Sequence, residues 1–260
     1  MYITIDIGGT NTRIAGVADL VKPIFVTEPI RRRNSTSYEE DITSIIEDAR
    51  KLGGSNIKAV GVGIVGTMNK ERTRSLHSKN NAHWNDKPFV EDLKRTLNCP
   101  VYADNDGVVA ALGEAYYGSV KTDFAYVIWG TGIGGAMVVH DEQGVPAVDK
   151  LDWGKYFGKW EYACGGKELA LTYGKQPEDL TEQEWHDVIE KFGAQAARFV
   201  KTVQPQAIVF GGGLAVRHKQ ELEALSSKLG VACHVTGFDG DSGLYGGLAL
   251  IREFMPQANV

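Results

Sequence analysis

Three times along this chain an apolar, β-branched run stops in a cluster of glycines, and that recurrence constrains the fold more than any other feature. Tyr2–Ile7 runs into Gly8-Gly9, Phe124–Trp129 into Gly130-Thr131-Gly132-Ile133-Gly134-Gly135, and Ala207–Phe210 into Gly211-Gly212-Gly213. Short apolar runs bounded by glycine read as strands entering tight turns. A second strand at about 13–19 after the first turn, and another at Ala136–His140 after the second, make both into hairpins. The opening pattern therefore starts over near the middle of the chain, which predicts two duplicated lobes.

The segments between the turns alternate. Tyr38–Leu52 carries Ile42, Ile45, Ile46 and Ala49 at helical spacing behind a Ser-Thr-Ser cap, the signature of an amphipathic helix. Strands follow at Ile57–Ile64 and Val101–Ala103, and helices at Pro88–Leu97, Gly107–Tyr116, Glu182–Val203 and about 244–253. Strand and helix in alternation indicate an α/β lobe, and 260 residues suffice for two, since a single core stops growing somewhere above ~250 residues. The expected division is 1–115, joined by a C-terminal helix at about 244–260, against 116–243.

Composition excludes several classes. Hydrophobic residues at 43% and charged residues at 23% rule against disorder and collagen. A net charge of −5 without a long basic run offers no footprint for nucleic acid; Arg31-Arg32-Arg33 reads as a solvated loop. Cys99, Cys164 and Cys233 are odd in number and far apart, which argues for a reducing compartment. Without a signal-like leader or an apolar run of about 18 residues, a cytoplasmic protein with no membrane partner is expected.

Consecutive glycines let backbone N–H groups approach an anion with no Cβ in the way, which suits phosphate. Each turn alone is an ordinary tight turn; together they point to a bound polyphosphate. No GxxxxGK[ST] is present, so the Walker mode is excluded. GTGIGG is followed by Ala136-Met137-Val138-Val139, a strand where a dinucleotide fingerprint requires a helix.

DIGGTNTR at 6–13, NDGVVAALGEAYYG at 105–118, GTGIGG at 130–135 and IVFGGGLA at 208–215 resemble the ROK family of repressors and sugar kinases, in order and spacing along nearly the whole chain. The resemblance implies an α/β, two-lobe actin-like (ribonuclease H-like) ATPase fold with an interlobe active-site cleft. It implies a sugar kinase using ATP and Mg²⁺ on a hexose or N-acetylhexosamine, with the 6-hydroxyl as the expected acceptor. Asp6, Gly8, Gly9, Thr10, Asn11 and Arg13 would form the first phosphate loop, Asp6 also holding Mg²⁺ through water. Gly130, Thr131, Gly132 and Gly134 would form the second phosphate loop, with Gly211, Gly212 and Gly213 at the adenosine. Asp106, by itself a helix N-cap, becomes the general base, because a sugar hydroxyl has a high pKa and needs a carboxylate to take its proton. Asn105, Gly66, Thr67 and Asn81 would contact the sugar.

The chain departs from the family pattern after the second hairpin. Asp152-Trp153-Gly154-Lys155 stands where relatives carry acidic-x-Gly-His, and the cysteine-rich zinc loop is missing. Cys164 alone cannot supply the ligands of a structural zinc site, so no zinc is expected. Asp152 and Glu161 remain the candidate acidic sugar contacts, Glu161 one position off the expected spacing, while Lys155 reads as solvent-facing. Two further enzymatic or binding functions compete: a polyphosphate-dependent glucokinase and a catalytically degenerate sugar sensor. A repressor needs a DNA-binding segment ahead of the core, and a phosphate loop starting at residue 6 leaves no room for one. A homodimer is expected from the resemblance.

Overall fold

The computed structural model describes residues 1–78 and 81–255. The chain forms two compact units, Met1–Tyr117 together with the stretch beginning at Ser242, and Gly118–Asp241.

The first unit runs β1 (Tyr2–Ile7), β2 (Asn11–Val17), β3 (Ile30–Arg33), α1 (Tyr38–Gly53), β4 (Ala59–Ile64), the short β5 (Thr67–Met68) and β6 (Ser75–His77), α2 (Phe89–Leu97), β7 (Val101–Asn105) and α3 (Asp106–Tyr117). The second runs β8 (Phe124–Trp129), β9 (Ile133–His140), β10 (Pro146–Lys150), α4 (Gly158–Cys164), α5 (Gly166–Tyr173), α6 (Glu182–Val203), β11 (Ala207–Gly211), α7 (Gly213–Arg217), α8 (Lys219–Leu229) and β12 (Ala232–Val235). The final helix, α9 (Ser242–Phe254), packs in the first unit. Residues 256–260 of the helix expected at 244–260 lie outside the described residues.

The two main sheets have the same plan. The first is ordered β3-β2-β1-β4-β7 and the second β10-β9-β8-β11-β12. In each, a three-stranded antiparallel meander is extended by two parallel strands. This is the duplication expected from the repeated glycine turns.

All six residues of β1 are buried, because both faces of its sheet are covered. Ile3, Ile5 and Ile7 join Ile42, Ile45 and Ala49 of α1 and Phe89, Val90 and Leu93 of α2 in one core. Tyr2 packs on the other face with Leu248 and Ile251 of α9, and the Thr4 hydroxyl donates to the Leu244 carbonyl at 2.6 Å. Helices α3 and α9 touch almost backbone to backbone. A Cβ on Gly113 would stand 2.6 Å from the Gly246 nitrogen, and one on Gly246 would collide with the Val109 carbonyl. The second unit has its own core, built on Trp129, Phe157, Trp160, Phe192 and Phe210.

Candidate active site

In the first unit the candidate residues Asp6, Asn105 and Asp106 collect at the carboxyl ends of the parallel strands, where open α/β sheets bind ligands. The register puts Asp6, Gly63 and Asp104 in one row and Ile7, Ile64 and Asn105 in the next. Asp6, next to last in β1, therefore lies two strands from the Asn105–Asp106 pair. The hairpin register sets Arg13 directly opposite Asp6. Its guanidinium grips the buried Asp6 carboxylate through Nε, at 3.1 Å, and through Nη2.

Among the described residues no group of three or more His, Cys, Asp or Glu side chains is placed to hold a metal ion. Mg²⁺, however, keeps several waters and is bound in nucleotide sites by one or two carboxylates together with the substrate phosphates. Asp6, beside a glycine turn and paired with Arg13, is the carboxylate that would hold the ion in that mode.

Asn105 closes β7 and Asp106 opens α3. The Asn105 side-chain amide donates to the Gly66 carbonyl at 2.7 Å and to Asp106 Oδ1 at 2.9 Å. Gly107 N–H donates to the same Asp106 oxygen at 2.9 Å. Gly66 has φ +117°, a conformation glycine takes without strain, and Thr67 beside it is exposed. The structure thus brings Gly66, Asn105 and Asp106 together, with the carboxylate oriented by two donors.

The Gly8-Gly9-Thr10 turn closes with Gly8 N–H to the Asn11 carbonyl, 3.0 Å. Thr10 and Asn11 are exposed. Asn81 is buried, 1% exposed, and donates its amide to the Gly8 carbonyl at 2.8 Å; its neighbours Lys79 and Asn80 lie outside the described residues. Several polar residues behind the turn carry no mark in the sequence. Asn34 contacts Gly8, Thr10, Thr12 and Asn81. Asp41 accepts from Ser35 N at 2.8 Å, from Trp84 Nε1 at 3.1 Å, and bonds His83 Nε2 at 2.8 Å. Burial pushes the Asp41 carboxyl up, and the bonds from His83, Ser35 and Trp84 outweigh it, leaving it below the usual range.

The second unit holds the other two turns side by side, since β11 lies parallel to β8 with Gly211 opposite Ile128. The second turn is shorter than its glycines suggest: Gly134 and Gly135 are already strand residues of β9, and only 130–132 bend. Gly130 N–H donates to the Gly132 carbonyl at 3.0 Å, and α5 anchors the turn from Gly166 N–H to the Gly130 carbonyl and from Lys167 N–H to the Thr131 carbonyl, both 2.9 Å. Glu161, on α4, accepts the Ile133 N–H at 2.7 Å and Trp153 Nε1 at 3.3 Å. Gly212 has φ +90°, and a Cβ there would strike the Trp129 carbonyl.

Asp152 caps a one-turn π-helix at Trp153–Phe157, accepting Lys155 N–H at 2.6 Å. Lys155 is exposed, its Nζ over the Tyr156 ring at 4.9 Å. Cys164 is buried beside the Val188 carbonyl, and burial pushes its thiol up to about 12.

Two sheets of one plan, each carrying a glycine turn at its first hairpin, define the class as the two-lobe actin-like fold. The chain belongs to the ROK family, whose model matches residues 2–143. It is 33% identical over 200 residues to the glucokinase of Streptomyces coelicolor, covering 70% of this chain and 62% of that one. The chain thus spans less than two thirds of the length of this relative. The ROK family glucokinase of Streptomyces griseus, solved with glucose and AMPPNP, matches at TM-score 0.75 and 19% identity, over 97% of this chain and 99% of that one. The inorganic polyphosphate/ATP-glucomannokinase of Arthrobacter sp. strain KM matches at TM-score 0.78 and 20% identity, over 97% and 98%.

Proposed function

We propose that the protein is a sugar kinase that moves the γ-phosphoryl group of ATP to the 6-hydroxyl of a hexose or N-acetylhexosamine, with Asp106 as general base. The observation that carries this reading is the Asn105–Asp106 pair, held against Gly66 at the same sheet end as the Asp6 and Gly8-Gly9 turn. Asp106 accepts the hydroxyl proton as the sugar oxygen bonds to phosphorus and the bond to the β-phosphate oxygen breaks, releasing ADP. The two hairpin turns offer backbone N–H groups to the donor phosphates, and the third turn, Gly211 to Gly213, serves the adenosine. Asp6 would hold Mg²⁺ through water, and the bound ion would neutralise charge on those phosphates.

A second reading of the donor rests on β3. Arg31–Arg33 form a strand in which Arg31 stands opposite Arg13 and Arg33 opposite Asn11, so exposed guanidinium groups flank the first phosphate turn. Such a strip suits a longer polyanion, and it favours polyphosphate as an alternative donor.

A coupled ADP-release assay with ATP-Mg²⁺ over a panel of hexoses and N-acetylhexosamines tests the proposal, with polyphosphate as a parallel donor. Turnover of a sugar that falls about a hundredfold or more in Asp106→Asn is expected. Undiminished turnover in that variant removes Asp106 from the chemistry. A folded protein that binds ATP and turns over no sugar is instead the degenerate sensor.

A further inference from the structure

The Gly8–Gly9 peptide is a weak point in any phosphate-binding turn. Neither residue has a Cβ, so rotating the peptide plane costs little, and a rotated plane would present a carbonyl oxygen to the phosphate in place of an N–H. In this protein the Gly8 carbonyl receives two amide donors, Asn34 Nδ2 and Asn81 Nδ2, both at 2.8 Å. A carbonyl oxygen has two lone pairs, and both are taken. Because the peptide is trans and planar, fixing its C=O fixes the adjoining N–H in the opposite direction.

Asn34 is itself held at three points. Its backbone N–H donates to the Thr10 carbonyl at 2.9 Å. Its Oδ1 accepts the buried Thr12 hydroxyl at 2.8 Å, which turns Nδ2 toward Gly8. The same Nδ2 stands 3.3 Å from Asn81 Oδ1, so the two amides also orient each other.

We propose that Asn34 is a positioning residue that, with Asn81 and under the control of Thr12, locks the Gly8–Gly9 peptide so that the Gly9 N–H faces the donor phosphate. Asn81 then serves the donor turn through its side chain. The inference rests on the kinase reading for its ligand, while the lock itself is a property of the ligand-free protein.

Two measurements test it on the full chain. The first is donor affinity, read by calorimetry with AMPPNP-Mg²⁺ and with polyphosphate, for wild type, Asn34→Ala, Thr12→Val and Thr12→Ser. Thr12→Val keeps the shape and deletes the hydroxyl; Thr12→Ser keeps the hydroxyl. Loss of a hydrogen bond to a charged phosphate is expected to weaken donor binding about tenfold to a hundredfold in Asn34→Ala and Thr12→Val, with Thr12→Ser close to wild type. A purely structural role would lower the melting temperature of the variants and leave donor affinity in place, which overturns the proposal. The second measurement is the ¹⁵N resonance of the Gly9 amide without ligand, expected to be single in wild type and Thr12→Ser but doubled or broadened in Thr12→Val. An unchanged Gly9 resonance in Thr12→Val and Asn34→Ala overturns the lock. If wild type binds neither donor, the kinase reading falls, and the Gly9 resonance alone then decides whether Asn34 sets the peptide.

Discussion

Arg32 shows how much a single residue's surroundings change its meaning. In sequence it is the middle of three arginines, indistinguishable from its neighbours and read with them as a solvated loop. In the structure the three lie on β3, and strand alternation sends Arg32 to the opposite face from Arg31 and Arg33. There it meets Asp48 of α1, whose side chain is 1% exposed: Nη2 stands 2.7 Å from Asp48 Oδ1, and Nε closes on Oδ2. Asp48 is held below the usual carboxylate range first by that bond, which outweighs its burial, with Lys51 adding at 3.2 Å. Removing Arg32 leaves the buried Asp48 carboxylate only its Lys51 contact, so Arg32→Ala should cost about 1–3 kcal/mol at neutral pH. The sign with pH follows from the lowered native value. The stabilisation is complete above the unfolded value of about 3.9 and is lost as pH falls through the native one. Denaturant titrations should therefore show wild type and Arg32→Ala converging below about pH 4. A gap that persists there would mean that Arg32 acts by packing alone. The contacts of Asn34 with Gly8 and Asn81 and of Asp41 with His83 and Trp84 were equally hidden, because these partners lie tens of residues away and nothing local marks them.

Elements were legible where their own pattern was long or strongly punctuated. α1 lies where periodicity and its cap put it, β8 where the glycine turn bounds it, and α6 over the expected Glu182–Val203, opened by the Thr181–Glu184 capping box. Missed were β3, which has no apolar alternation, the short strands β5, β6, β10 and β12, the seven- and eight-residue helices α4 and α5, divided at Gly165-Gly166, the five-residue α7, and α8, whose buried positions reduce to Leu222 and Leu225. The contact of α3 with α9 also has a sequence trace, in Gly113 and Gly246, but a helical glycine reads as a defect until its partner is known. Here the glycines are the interface. Gly246→Ala improves helix propensity by about 1 kcal/mol, yet its methyl meets the Val109 carbonyl, and backbone cannot move aside as a side chain can. The clash should win, for a net loss of at least about 1–3 kcal/mol, measurable as a lower urea midpoint. A gain in stability would show that α9 can slide on α3. The site was half legible for the same reason: Asp6 with Arg13, and Asn105 with Asp106, belong to contiguous motifs, whereas Asn34, which donates to the Gly8 carbonyl, does not.

At the scale of the whole molecule, each unit has its own core, so each can open as a cooperative unit of its own. The second carries a buried histidine, whose acid sensitivity begins at higher pH than that of Asp48 in the first. His218 is 6% exposed, its ring lies 4.1 Å from that of Trp185 and 5.8 Å from that of Trp129, and its Nε2 is buried without a hydrogen-bond partner. Burial lowers its pKa, while Glu221, 3.4 Å from Nδ1, works weakly the other way. Above the ordinary value of about 6.5 the imidazole is neutral in both the folded and unfolded states and contributes no pH dependence. As pH falls below that value the unfolded chain takes up a proton that the folded core refuses, so stability drops by at most about 1.4 kcal/mol per pH unit until the native histidine also titrates. His218→Phe keeps an aromatic ring against Trp185 and deletes the titration. Amide exchange corrected for its intrinsic rate, compared at pH 7.5 and 5.5, should show β8 and β11 losing more protection than β1 and β4 in wild type, and that excess disappearing in His218→Phe. Equal losses in wild type and variant would place the acid sensitivity elsewhere. An excess shared by all four strands in wild type and absent from the variant would instead assign the effect to His218 but show that the two units open together.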